Sequence, residues 1–123
     1  MPVTTEDCEL FVRDTPRNQQ KIHAFAERFG ERAWQPHELT KMLRMTTAKL
    51  VVDFVFVLSS RKTFESVRSR AARVKVGNQT IKVASLEDIV AAKEAAGRPK
   101  DLAVLPMLRN TLRTRRAMEK EST

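Results

Sequence analysis

The segment from Lys49 to Leu58 restricts the fold of this chain more than any other. It is rich in valine and phenylalanine, and both alternations of an extended chain would be apolar here. A strand of this kind is buried on both faces, so we expect it at the centre of a covered sheet. Asp53 interrupts the pattern in the middle of the strand. An ionised carboxylate there needs a cation, a hydrogen-bonding partner or an opening to solvent.

Shorter patterns before this strand predict a strand followed by a helix. Residues 8–12 are typical of a short buried strand, and Thr15 can cap a helix that begins at Pro16 and ends at Gly30. The apolar positions of that helix fall on one face, and they are Ile22, Phe25, Ala26 and Phe29.

The segment around Trp34 and Pro36 is less regular. Because proline suits the first turn of a helix, we predict a short helix from Pro36 through Leu43. Trp34 and His37 can line a pocket, but a tryptophan beside a proline more often fills a core, and this second interpretation is favoured.

The second half of the chain predicts a basic helix, a hairpin and two more helices. The basic helix covers residues 60–72, and Gly77-Asn78 suits the tight turn of a hairpin between two valine- and isoleucine-rich strands. Ser85 can then cap a helix in which Asp88 reaches back to the cap. Gly97 is expected to end it.

Pro99 is expected to open the last helix. This helix would run through Leu112, and Pro106 should kink it near Leu102. Beyond Leu112 the apolar positions thin out and arginines dominate.

Length and composition place the chain among folded proteins of one domain. It has 123 residues, of which 41% are hydrophobic and 31% charged. No apolar run is long enough to span a membrane, and Met1-Pro2-Val3 lacks the layout of a secretion signal, so a cytoplasmic location is expected. The single cysteine, Cys8, is interpreted as a small buried hydrophobe. The net charge of +8 favours polyanionic partners such as RNA or nucleotides.

Three acidic residues form the main candidate site. Asp7 and Glu9 are two positions apart, so an extended chain points both to one face, and Asp53 joins them if the two strands are neighbours. Carboxylates are the ligands that Mg²⁺ prefers. The alternative is an acidic strand on the surface with Asp53 paired to an Arg or Lys. Residue type and spacing alone favour this alternative.

The order of several motifs resembles nucleotidyltransferase-fold proteins of the abortive-infection toxin type. The likeness runs from Thr4 to Leu112. The motifs that carry it are Thr5-Glu6-Asp7-Cys8-Glu9-Leu10, Val52-Asp53-Phe54, Ser85-Leu86-Glu87-Asp88 and Lys93-Glu94-Ala95-Ala96-Gly97-Arg98-Pro99-Lys100-Asp101-Leu102.

The resemblance implies a fold, a site and an activity. The fold would be α/β (α+β): a mixed sheet flanked by helices, truncated at the N-terminus and followed by a C-terminal helical pair. The single domain 1–123 would divide into an acidic core (1–60), a helix and hairpin (61–84) and C-terminal helices (85–123). The activity would be Mg²⁺-dependent transfer of a nucleotide to an RNA or protein acceptor, as in toxin–antitoxin systems.

The resemblance also implies roles for particular residues. Asp7, Glu9 and Asp53 would be the catalytic, metal-binding carboxylates. The nucleotide or acceptor would contact the C-terminal motif, at Lys93, Arg98, Lys100 and Asp101.

Three departures from the family keep a second hypothesis open. The chain begins after the point where a glycine motif should grip the triphosphate, so Met1 is either not the native start or the motif is lost. Glu9 stands where the family usually has Asp, and Val104 replaces a further Asp. The second hypothesis is an inactive basic module that binds RNA or a partner protein. An exposed sheet edge would then favour a homodimer.

Overall fold

The computed structural model describes residues 6–36 and 41–121. Within them the chain is a mixture of helices and strands, as the sequence predicts. Their bounds are β1 Glu6–Phe11, α1 Pro16–Arg28, β2 Met42–Thr46, β3 Leu50–Val55, α2 Phe64–Arg70, β4 Ala72–Val76, β5 Gln79–Val83, α3 Leu86–Ala96 and α4 Pro99–Glu121. The chain divides into two compact units, named here the N-terminal unit (residues 1–58) and the C-terminal unit (residues 59–123).

The N-terminal unit is built on a three-stranded sheet in which β3 is the central strand. The strand order is β1-β3-β2, with β1 parallel and β2 antiparallel to β3. The predicted central position of this strand is therefore confirmed, whereas α1 covers only one of the two faces that were predicted to be covered. Parallel neighbours need a crossover connection, and α1 lies within the connection between β1 and β3.

Helix α1 packs on one face of this sheet. Its N-cap is Thr15, as predicted, and its buried side chains meet those of β2 and β3 in one core. The core consists of Ile22, Ala26, Met45, Val52 and Phe54. The burial predicted for Phe25 and Phe29 is wrong, since these side chains are 39% and 57% exposed. Phe29 is the C-cap residue, and its ring packs on Phe25 at a centroid distance of 5.0 Å.

The short helix predicted from Pro36 is wrong over its second half. Met42 and Leu43 belong to β2, where they pair with Val55 and Phe54. This pairing satisfies the second edge of β3 and buries Met45 in the core, which a helical turn would not do. Residues 37–40, including His37, lie outside the described residues.

The C-terminal unit contains the predicted hairpin and the two predicted terminal helices. Gly77, with φ of +61°, turns β4 into β5, and every residue of both strands is exposed. The basic helix is shorter than predicted: α2 covers Phe64–Arg70, is capped by Thr63 and buries only Val67. Its limit follows from Ala71, whose backbone is already extended.

Helices α3 and α4 meet at the predicted corner. Ser85 caps α3 by accepting a hydrogen bond from the Asp88 backbone N–H at 3.2 Å, and Gly97 ends the helix in the left-handed conformation. Helix α4 runs from Pro99 to Glu121 as one element with Pro106 inside it. In the described residues, no helix has both the length and the apolar character that a membrane crossing requires.

Candidate functional site

The register of the sheet brings the three predicted acidic residues to one face. Glu9 is directly opposite Asp53 on the neighbouring parallel strand, and Asp7 precedes Glu9 by two residues. Paired residues and residues two apart point to the same side of a sheet. The expectation that the two acidic strands are neighbours is therefore confirmed. The acids lie on the face away from α1, because Val52 and Phe54, which flank Asp53, belong to the core on the other face.

Arg44 holds Asp53 from the opposite neighbour strand. The two residues are paired across β2 and β3, and the guanidinium donates from Nε to Oδ1 at 2.7 Å and from Nη2 to Oδ2 at 3.1 Å. Asp53 is only 8% exposed, so this two-bond pair supplies the cation that its burial requires. The hydrogen bond to Asp53 raises the pKa of Arg44, and the charges of Asp7 and Glu9 raise it further.

Sequence reasoning left the partner of Asp53 open as an Arg or Lys. It missed Arg44 because the segment before it was assigned to a helix. Strand alternation was the available signal: Leu43 and Met45 are apolar, and Arg44 lies between them. Placing that segment beside β3 would have put Arg44 opposite Asp53.

A divalent cation fits the donor types of this face but not their arrangement. Carboxylate oxygens suit Mg²⁺, yet Arg44 occupies both oxygens of Asp53. Over residues 6–36 and 41–121, no group of three or more His, Cys, Asp or Glu side chains is placed to hold a metal. The magnesium site at Asp7, Glu9 and Asp53 therefore stays a prediction.

Trp34 extends the acidic face across the sheet. Its backbone forms a bridge with Arg44 through two hydrogen bonds, of 2.9 and 2.7 Å. The Arg44 guanidinium carbon lies 5.9 Å from the centroid of the indole ring, within cation–π range. Trp34 is 46% exposed, so the interpretation as a core residue is wrong. The bridge places it at the side of the sheet, in register with Arg44 and away from the core.

Four side chains thus form one line across the sheet, named here the polar row. The row consists of Glu9, Asp53, Arg44 and Trp34. At ordinary strand spacing it is about 14 Å long. It offers a carboxylate, an arginine already oriented by a second carboxylate, and an exposed indole ring.

The C-terminal motif of the resemblance forms a buried ion cluster at the corner between α3 and α4. Asp101 is fully buried and contacts Arg98 Nε at 2.7 Å and Lys93 Nζ at 3.3 Å. It also accepts the Arg98 backbone N–H at 3.1 Å. The Arg98 hydrogen bond is the main cause that lowers the pKa of Asp101. Lys100 lies on the same helix and is exposed.

The structure therefore brings together three of the four predicted residues of this motif. Two cations, Lys93 and Arg98, neutralise one carboxylate, Asp101, in a contact that closes the helix corner. These ion pairs have a structural role, because they hold the ends of α3 and α4 together. Part of each cation stays accessible, because the side chain of Arg98 is 51% and that of Lys93 28% exposed.

The burial of a third carboxylate, Asp88, was not predicted from the sequence. Asp88 is 1% exposed and binds Lys62 Nζ at 2.8 Å and Arg70 at 2.9 and 3.0 Å. Its side chain also contacts the cap residue Ser85, as predicted, but no local pattern indicated the two cations that hold it. Burial alone would raise the pKa of Asp88, but hydrogen bonds from Arg70, Lys62 and Ser85 outweigh it and lower the pKa to about 2. Partners 18 and 26 residues away leave no local sequence signal.

The net charge of the chain belongs to one unit. Residues 1–58 contain eight Lys and Arg and eight Asp and Glu, whereas residues 59–123 contain fifteen and seven. The N-terminal unit is therefore neutral, and the C-terminal unit carries the whole excess of +8.

Helix α4 concentrates much of this charge at its end. Residues 113–121 are all exposed. Four basic residues repeat at spacings that share one helix face, and they are Arg109, Arg113, Arg116 and Lys120. Two of them also contact acids of α3: Arg109 lies 3.2 Å from Glu94, and Arg116 lies 3.9 Å from Glu87.

Comparisons of the chain with family models, with characterised proteins and with solved structures find no match.

Proposed function

We propose that this chain is a nucleotidyltransferase-like protein that binds RNA through its C-terminal unit and does not transfer nucleotides. The observation that carries the proposal is the location of the net charge of +8 within residues 59–123. A basic face along a helix is the electrostatic footprint of a nucleic-acid-binding protein, because cationic side chains displace the counterions of phosphates.

The ion pairs of both units support binding over catalysis. Asp53 is neutralised by Arg44, so the third carboxylate of the acidic face is already engaged. Asp101 is neutralised by Lys93 and Arg98, so the motif that would stabilise transferred phosphate is used to close a helix corner. Much of the accessible charge lies elsewhere, on the exposed end of α4.

The proposal is tested by measuring the affinity of the chain for single-stranded RNA over a range of salt concentrations. We expect the logarithm of the affinity to fall linearly and steeply with the logarithm of the salt concentration. The Asp53→Ala variant should bind RNA with the wild-type affinity. Binding that is absent, or that does not respond to salt, would contradict the proposal.

A second candidate function is Mg²⁺-dependent nucleotidyl transfer to RNA or protein, of the abortive-infection toxin type. The alignment of Asp7, Glu9 and Asp53 on one face of neighbouring strands favours it. Magnesium binding by all three would require Asp53 to give up its contact with Arg44.

This candidate is tested by incubating the chain with labelled nucleoside triphosphates, Mg²⁺ and total RNA. Label that enters RNA or protein with the wild type, and is lost with Asp7→Ala and Asp53→Ala, would establish transfer at this site. Equal labelling by all three proteins would show that Asp7 and Asp53 take no part in the reaction. The RNA-binding proposal expects no labelling by any of them.

A further inference from the structure

The hairpin of β4 and β5 has one cationic and one apolar face. Paired residues of the two strands point to the same side, so Arg73, Lys75 and Lys82 share one face. The other face is apolar apart from Gln79. Its most exposed apolar side chains are between 38% and 56% exposed, and they are Val74, Val76, Ile81 and Val83.

The hairpin lacks the support that such a small sheet needs. Two strands alone are marginally stable in water, and a third strand or a packed helix normally stabilises them. Every residue of β4 and β5 is exposed, and within residues 6–36 and 41–121 no further strand pairs with either outer edge. The outer edge of β4 therefore presents backbone N–H and C=O groups on which another strand can pair.

The charge of the hairpin favours an anionic occupant. Residues 72–83 contain three basic residues and no Asp or Glu. Arg73 is directly opposite Lys82, and like charges in such a pair repel each other. In the part of the chain that the structure describes, no carboxylate forms an ion pair with any of these three cations. Acidic side chains of a binding partner would relieve the repulsion.

A peptide strand matches all of these features, whereas a nucleic acid matches only the charge. Phosphates would neutralise the cations but would leave the apolar face and the backbone edge in water. An added strand forms backbone hydrogen bonds with the edge, and its side chains alternate between the two faces. The β4 edge is favoured, because β4 carries Arg73 and Lys75 on the cationic face, whereas β5 carries Lys82 alone. Acids at every second position would lie beside the two cations, and apolar residues would pack beside Val74 and Val76.

We propose that the outer edge of β4 binds an extended acidic segment of a partner protein, in which acidic and apolar residues alternate. The segment adds a third strand to the hairpin. This inference goes beyond RNA binding, because it assigns a protein partner to the hairpin and not to α4.

The first test compares two labelled peptides of the same composition and charge. The alternating peptide is Glu-Val-Glu-Val-Glu-Val, and the block peptide is Glu-Glu-Glu-Val-Val-Val. Only the first can present all its acids on one face of a strand. We expect the full chain to bind the alternating peptide about tenfold more tightly or better, measured by fluorescence anisotropy. Amide hydrogen exchange in residues 72–76 should slow when this peptide binds, because its backbone occupies the β4 edge.

Two double variants of equal charge then locate the binding site. Arg73→Ala with Lys75→Ala, named here the hairpin variant, removes both cations of the β4 edge and should weaken binding of the alternating peptide about tenfold. Arg17→Ala with Lys21→Ala removes two exposed cations from α1 and should leave peptide binding unchanged. Circular dichroism checks that each variant is folded.

Each of three results would overturn the proposal. The first is no binding of the alternating peptide through the millimolar range, or equal affinity for both peptides, since the cations would then only protect the edge from pairing. The second is self-association of the wild-type chain that the hairpin variant abolishes, which would place a second copy on this edge. The third is RNA affinity that falls in the hairpin variant while no peptide binds, which would assign the hairpin to RNA. The comparison of peptides on the wild-type chain stands even if a substitution unfolds the protein.

Discussion

Both units bury carboxylates against cations, but they place these pairs in different surroundings. In the N-terminal unit, Asp53 and Arg44 lie on a sheet face that also presents Glu9 and the exposed ring of Trp34. In the C-terminal unit, Asp88 and Asp101 are 1% and 0% exposed, and each binds two cations. The first arrangement keeps polar groups accessible to a ligand. The second ties helices together.

Net charge follows the same division. The N-terminal unit balances its eight basic residues with eight acids, and its polar row is a small, specific arrangement. The C-terminal unit has eight more basic than acidic residues, and its buried acids use only part of them. The buried ion pairs therefore serve stability in one unit and the orientation of an arginine in the other.

The largest effect is expected from Asp88→Ala. This change removes the carboxylate that holds Lys62 and Arg70, and it leaves both cations without their shared partner. The lost ion pairs destabilise the fold, but the released cations can turn to water, which limits the loss. We therefore expect the free energy of unfolding to fall by about 3 kcal/mol, measured by urea unfolding followed by circular dichroism. Glu87→Ala is the matched control, because Glu87 is exposed and its contact with Arg116 is 3.9 Å long. A loss for Asp88→Ala no larger than that of the control would show that the cluster is not structural.

Acidic pH should lower the free energy of unfolding by protonating the carboxylate of Asp88. The pKa of Asp88 is about 2 in the folded chain, below the usual value near 3.9 of an unfolded aspartate. The stabilisation is therefore complete above about pH 4 and is lost as the pH falls toward 2, an effect of about 2 kcal/mol. Thermal unfolding of wild type and Asp88→Asn across this range checks it. The two proteins should differ clearly at pH 6 and converge at pH 2, and parallel curves would contradict the assignment.

A smaller effect is expected from Arg44→Ala in the N-terminal unit. It leaves the carboxylate of Asp53, which is 8% exposed, without its cation, and we expect a loss of about 2 kcal/mol. Unfolding followed by Trp34 fluorescence reports on this unit, and Arg17→Ala on the exposed side of α1 is the control.

The same variant sharpens the interpretation of the acidic face. Once Arg44 is gone, a divalent cation can take its place beside Asp53, Asp7 and Glu9. We expect Mg²⁺ or Mn²⁺ to raise the melting temperature of Arg44→Ala and to leave that of Arg17→Ala unchanged. An equal change in the melting temperature of the two variants would show that Arg44 does not occupy a cation-binding position.

The sequence predicted most of the framework because its signals were local. The alternation of β3, the caps at Thr15 and Ser85, and the glycines at positions 77 and 97 each specify the backbone around themselves. Spacing also put Asp7 and Glu9 on one face. These predictions needed no knowledge of distant contacts.

The errors occurred where a distant partner decides the structure. Proline at position 36 suggested a helix, but pairing with β3 makes Met42 and Leu43 a strand. Trp34 was interpreted as a core residue because nothing local indicated its bridge to Arg44. Asp88 fits a capping pattern, and only folding brings Lys62 and Arg70 to it. Strand spacing singled out the acids and the resemblance implied roles for them, but neither gave the partner of Asp53.

The proposed binding of RNA depends on the excess positive charge of the C-terminal unit. The most direct measurement compares the salt dependence of RNA affinity for two charge-matched double variants. Arg113→Ala with Arg116→Ala removes two exposed cations from the basic face of α4, and Arg17→Ala with Lys21→Ala removes two from α1. We expect the α4 variant to lower the slope of log affinity against log salt by about 1.4, and the α1 variant to leave it unchanged. Equal slopes for the two variants, or a change only in the α1 variant, would contradict the account.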